Sequence, residues 1–97
     1  MKKARIDLES AEAIALHALT FLASDGQRLG RFLSLTGIGP EDLRAWATAS
    51  HLQAAVLEHM LADESLLLVF ATQTGTRPDD IAPAHALLAK VNDAGNP

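Results

Sequence analysis

Apolar residues recur along the chain at three- and four-residue intervals, the period of amphipathic helices. In residues 11–24, Ile14, Leu19 and Leu22 stand near helical spacing, with Ala15 and Ala18 between them. Leu29, Phe32, Leu33 and Thr36 fall at i, i+3, i+4 and i+7, one helical face. Residues 51–62 and the set Leu67, Phe70, Ala71 and Thr74 repeat these two patterns. The residues between them supply helix ends. Ser10, Asp25, Ser50 and Asp63 are plausible N-caps, whose side-chain oxygens can take the first free amides of a helix. Gly37 and Gly75 fit the left-handed residue that closes a helix, where a Cβ would be strained. Pro40 and Pro78 fit a first helical turn, where the missing N–H is harmless. Glu41-Asp42 and Asp79-Asp80 follow, as the positive end of a helix dipole favours. Pro83 is early enough in the last helix to be tolerated there, or else it kinks it. Residues 1–9 and 92–97 are expected to fray.

The chain also resembles itself. Displaced by 38 residues, Asp25 meets Asp63, Leu29 meets Leu67 and Phe32 meets Phe70. Thr36-Gly37 meets Thr74-Gly75, Pro40 meets Pro78, and Asp42 meets Asp80. Ile14 with Leu52, Leu19 with Leu57, Leu22 with Met60 and Leu43 with Ile81 are near-matches. The matches fall at caps and apolar faces, the positions that specify a helical unit. The pattern predicts an all-α fold: one domain over residues 1–97, a compact bundle of five or six short helices. It reads as two pseudo-symmetric three-helix units, 12–49 and 50–87.

Composition agrees. Alanine and leucine dominate, both good helix formers. Tyrosine is absent and β-branched residues are few, which disfavours a sheet. Ninety-seven residues can bury one core. With no cysteine there are no disulfides, thiolate metal sites or thiol nucleophiles, in keeping with a cytoplasmic protein. Lys2, Lys3 and Arg5 before an apolar run superficially resemble a signal peptide. Asp7, Glu9, Glu12 and His17 interrupt that pattern, so an amphipathic helix is expected. No apolar run reaches the roughly 20 residues of a membrane span. The net charge is −4. Charges cancel in residues 1–49, so all of the excess lies in the second half, in Glu58, Asp63, Glu64, Asp79, Asp80 and Asp93 against Arg77 and Lys90. A phosphate-binding surface wants the opposite sign.

Candidate chemistry is sparse. LTGIGPEDLR, residues 35–44, is similar to the hairpin of helix-hairpin-helix domains, whose backbone amides meet DNA phosphates. Leu35, Gly37, Ile38 and Gly39 match its apolar-Gly-apolar-Gly signature. Those domains favour a small residue where Leu43 stands and basic residues where Glu41 and Asp42 stand. The plainer reading is a helix stop at Gly37 and a helix start at Pro40. DNA-backbone binding through Gly37, Ile38 and Gly39 is kept as the alternative function, and nucleic acid is not the expected partner. His51 and His59 are eight apart and could share a helical face, but no H-E-x-x-H motif accompanies them. His17 and His85 stand alone. The paired carboxylates all lie at helix starts, and no serine sits on a Gly-x-Ser-x-Gly elbow. Neither an enzyme nor a cofactor is expected. Trp46 lies three residues after Leu43 and is expected to anchor the core.

One contrast between the units stands out. Arg28, Gly30 and Arg31 become Leu66, Leu68 and Val69, within a run, LLLVFA, that is apolar all round. Such a helix must be covered on every side. Leu87, Leu88 and Val91 of the last helix are the expected cover for Leu66 and Val69. Otherwise Leu66, Leu68 and Val69 form an interface for a protein partner or a second copy.

The stretches HALTFLASDGQRLGRFLSLTGIGPEDLR and LADESLLLVFATQTGTRPDDIAPA resemble a small bacterial family known as a domain of unknown function. They carry its order of leucine-rich helix, Asp, Leu-x-x-Phe, Thr-Gly and Pro-acid-acid-apolar, and cover most of the chain. The resemblance implies an all-helical fold and brings no catalytic or binding residues with it. A protein-interaction or accessory module is therefore the expected role.

Overall fold

In the computed structural model, which describes residues 6–94, the chain forms six helices and, among those residues, no strand. They are α1 (Leu8–Ala23), α2 (Gly26–Thr36), α3 (Pro40–Ala45), α4 (Ser50–Leu61), α5 (Glu64–Thr74) and α6 (Pro78–Ala94). Helices α1, α4 and α6 pack against one another as the centre of the bundle. Helix α2 leans on α1, and α5 leans chiefly on α4. Ala11, Ala15, Ala18 and Leu22 form the buried stripe of α1, at near-i+4 spacing. The small side chains of the three alanines let the neighbouring backbones approach closely. Leu52, Val56, Leu57 and Met60 of α4 and Ile81, Ala84 and Leu88 of α6 complete the core. Phe32 and Phe70 are its largest members and are fully buried. Each such side chain contributes about 1.5–3 kcal/mol through removal from water.

The helix ends follow local chemistry, and several features recur 38 residues apart. The Asp25 carboxylate accepts from the Gln27 amide at 2.9 Å, and that of Asp63 from the Leu66 amide at 3.2 Å. Gly37 and Gly75 close α2 and α5 with φ of 76° and 73°. Thr36 and Thr74 each donate from Oγ1 to the carbonyl four residues back, Phe32 and Phe70, at 2.8 Å. Pro40 and Pro78 open α3 and α6. The following helices then differ, since α3 runs 6 residues and α6 runs 17. Pro83 lies inside α6 with its ring exposed.

Two expected caps are corrected. Asp7, not Ser10, caps α1: its Oδ1 accepts from the Ser10 amide at 2.8 Å. Ser10 therefore lies in the first turn of the helix. The same hydrogen bond holds the Asp7 carboxyl below the ordinary aspartate range. Ala49 precedes α4 without a side-chain cap, and Ser50 is the first helical residue. Of the ends expected to fray, residues 8–9 and 92–94 are helical. Residues 1–5 and 95–97 lie outside the described residues. Trp46 does not anchor the core. It terminates α3 at 38% exposure, with its ring 5.0 Å from the His51 imidazole. With α3 only six residues long, the chain turns before Trp46 can follow Leu43 inward. Among the described residues, no helix is long and apolar enough to cross a membrane.

Candidate interaction surface

The α5 helix starts at the Asp63 cap, and its phase decides which of its apolar residues are covered. Phe70 and Ala71 point into the core, and Leu66 and Leu67 pack against it half-buried. Ser65, Leu68, Val69 and Thr72 recur at i, i+3, i+4 and i+7 on the opposite side, and all are exposed. Leu68 is 46% and Val69 37% exposed. The cover expected from α6 does not reach Val69. Leu88 is spent in the core, Leu87 is half-buried, and Val91 is itself exposed. So of Leu66, Leu68 and Val69, the first belongs mainly to the core and the other two to the surface.

A polar cleft of 290 Å³ adjoins this face. Arg31 and Leu35 of α2, His59 of α4, and Asp63, Glu64 and Ser65 at the start of α5 line it. Leu35 is 65% exposed, the most open large apolar side chain among the described residues. Leu35 and Ser65 both line the cleft, and Ser65 stands on the helical face that carries Leu68 and Val69. His59 places its ring edge on Phe32, with centroids 5.2 Å apart. Burial, and after it the positive charge of Arg31, hold its imidazole below the usual histidine range, and Asp63 pulls the other way. Sequence reasoning left Leu35 and His59 out of this surface. The available signal was the i, i+4 pair Arg31 and Leu35, which places both on one side of α2.

The Gly37-Ile38-Gly39 loop is largely occupied with its own fold. The Gly37 amide donates to the Leu33 carbonyl at 2.8 Å, and the Ile38 amide to Thr36 Oγ1 at 3.3 Å. The Ile38 side chain packs on the core. Gly39 is the residue before α3, and a Cβ there would meet only Asp42 Oδ2, at an ordinary 3.6 Å. Glu41 and Asp42 stand exposed just beyond.

Elsewhere, a 280 Å³ cleft between α1 and α5 carries His17, Thr20 and Gln73. Its Ser24 and Thr74 hydroxyls already donate to the Phe21 and Phe70 carbonyls. Arg28 lies over the Phe21 ring, 4.5 Å from its centroid, a cation–π contact. No group of three or more metal-ligating side chains occurs among the described residues.

No curated protein and no solved structure matches the chain. A family model does match, over residues 8–90, from α1 into the last turns of α6. The chain thus belongs to the family described as Protein of unknown function (DUF3572).

Proposed function

We propose that the protein is a non-catalytic interaction module that docks a protein partner through the outer face of α5 and the adjoining Leu35. The observation that carries this reading is the exposure of Leu68 and Val69 on the α5 face that begins at Ser65, and of Leu35 in the charged cleft that Ser65 lines. An apolar patch with a polar rim is the usual anatomy of a docking site. The recurrence of caps and glycines at 38 residues supports reading the bundle as two related units. In that reading Gly30 and Arg31 of the first unit give way to Leu68 and Val69 in the second, where the partner sits.

The test is recovery of the tagged chain from its own cells, with and without nuclease, followed by reconstitution with the purified partner. A specific protein retained after nuclease, and lost with Leu68→Lys while the melting temperature holds, supports the module. Recovery that disappears with nuclease overturns it. The DNA-backbone reading through Gly37, Ile38 and Gly39 has less support, because two of the three amides are engaged within the chain and the flanking side chains are acidic. It predicts salt-sensitive retention on duplex DNA that Gly37→Asp abolishes.

A further inference from the structure

A second groove, of 450 Å³, separates α3 from the C-terminal part of α1. Leu19 and Ala23 of α1, Leu29 of α2, and Leu43, Arg44 and Ala47 line it. Leu43, Arg44 and Ala47 stand at i, i+1 and i+4, so one side of α3 and its following turn looks inward. Leu19, Leu29 and Leu43 are half-buried and offer apolar walls. Alanines at 23 and 47 leave open the space that larger side chains would fill. Helix α3 contributes no fully buried residue, and Leu43 is its one side chain packed against the core.

Two features say what fits. The first is size. The volume lies in the range of roughly 300–1,000 Å³ found for small-molecule sites. The second is charge. Arg44 is the one charged side chain in the lining. Among the described residues the ion pairs are Arg28–Asp25 and Arg77–Asp79, so Arg44 pairs with no carboxylate. Glu41 lines a neighbouring cleft together with Pro40 and Arg44 and does not line the groove.

We propose that this groove binds a small amphiphile with one aliphatic chain and one anionic head. The chain lies along Leu19, Leu29 and Leu43, and the head meets the Arg44 guanidinium at the rim. The site shares no residue with the α5 surface, and the two readings stand or fall separately.

The chain's single tryptophan, Trp46, precedes the lining residue Ala47 in sequence and packs on His51, so its fluorescence serves as the probe beside the methyl shifts. The experiment titrates the full chain with sodium decanoate, 1-decanol and decyltrimethylammonium, reading Trp46 emission and leucine methyl shifts. Decanoate is expected to give a saturable change, with shifts concentrated on Leu19, Leu29 and Leu43. Arg44→Gln, an exposed change that leaves the core untouched, weakens decanoate about five-fold and leaves decanol unchanged. Ala23→Phe fills the groove and abolishes both responses, and Ala47→Leu does the same should the first variant melt early. Four results overturn the proposal. They are no saturable change, decanoate binding indifferent to Arg44→Gln, an equal response to the cationic amphiphile, or a Trp46 change driven by protein concentration alone. The last would seat a second copy of the chain in the groove.

Discussion

The His59 imidazole meets the Phe32 ring edge-on, with centroids 5.2 Å apart and planes at 74°. The contact joins α4 to α2. Burial, then Arg31, lower the histidine's pKa in the folded chain. Below about pH 6.5, the ordinary histidine value, the unfolded chain therefore binds the proton more readily than the native one. This stabilisation is complete above that pH and is lost as pH falls toward the folded pKa. Thermal melts from about pH 7 to 5 should show a falling melting temperature, with a shallower fall for His59→Gln. Parallel curves for the two proteins would remove His59 as the cause.

The three glycines around the α2 and α5 ends should separate cleanly. Gly37 and Gly75 hold positive φ, so alanine at either costs about 1–2 kcal/mol, even though a Cβ meets nothing within 4 Å at either position. Gly39 has negative φ and room for a Cβ, so Gly39→Ala is expected to be near neutral. Urea unfolding of the three variants measures this directly. A costly Gly39→Ala would mean that its hydrogen has a role beyond the backbone.

Caps give a second ranking. Asp7→Ala, Asp25→Ala and Asp63→Ala each remove an acceptor from a helix start and should cost about 1 kcal/mol. Ser10→Ala and Ser50→Ala remove no cap and should change stability by less than about 0.5 kcal/mol. Chemical denaturation that ranks Ser10 above Asp7 would contradict the α1 start.

Gln53 is a polar residue in an apolar place. It is 4% exposed, its Nε2 reaches the Ala47 carbonyl only at 3.5 Å, and its Oε1 has no partner. A buried carbonyl without a donor costs about 1–3 kcal/mol. Gln53→Met keeps the shape and removes that cost, so it is expected to raise stability by about 1 kcal/mol. A loss of stability would show that Oε1 is satisfied in solution by a bridging water.

The fold was legible because its punctuation is local. Asp25, Gly37, Pro40, Asp63, Gly75 and Pro78 act through their own backbone neighbours, so their roles can be read without knowing what lies across the bundle. The caps of α1 and α4 were misplaced for a related reason. Two acceptors, Asp7 and Ser10, compete within one turn, and spacing alone does not rank them. Trp46 and Val69 were harder. Both have apolar neighbours at helical spacing, but their exposure depends on where α3 stops and how far α6 reaches. Those are tertiary outcomes that no window of sequence contains. The α5 surface was half legible: Leu68 was visible in the contrast between the two halves, whereas Leu35 shares a cleft with Ser65 only through the packing of α2.

Helix α3 buries none of its residues, while α1, on one side of it in sequence, packs against α4 and α6 on the other. The core contacts thus run between helices on either side of residues 46–49. Cleaved there, the protein becomes two pieces with complementary faces. One carries the alanine stripe of α1 and the other carries Leu52, Leu57, Ile81 and Leu88. Neither piece can close a core alone, yet each presents what the other lacks. Pieces cut at residues 46–49 and mixed are therefore expected to regain the helical signal of the whole chain, as the halves of a split reporter do.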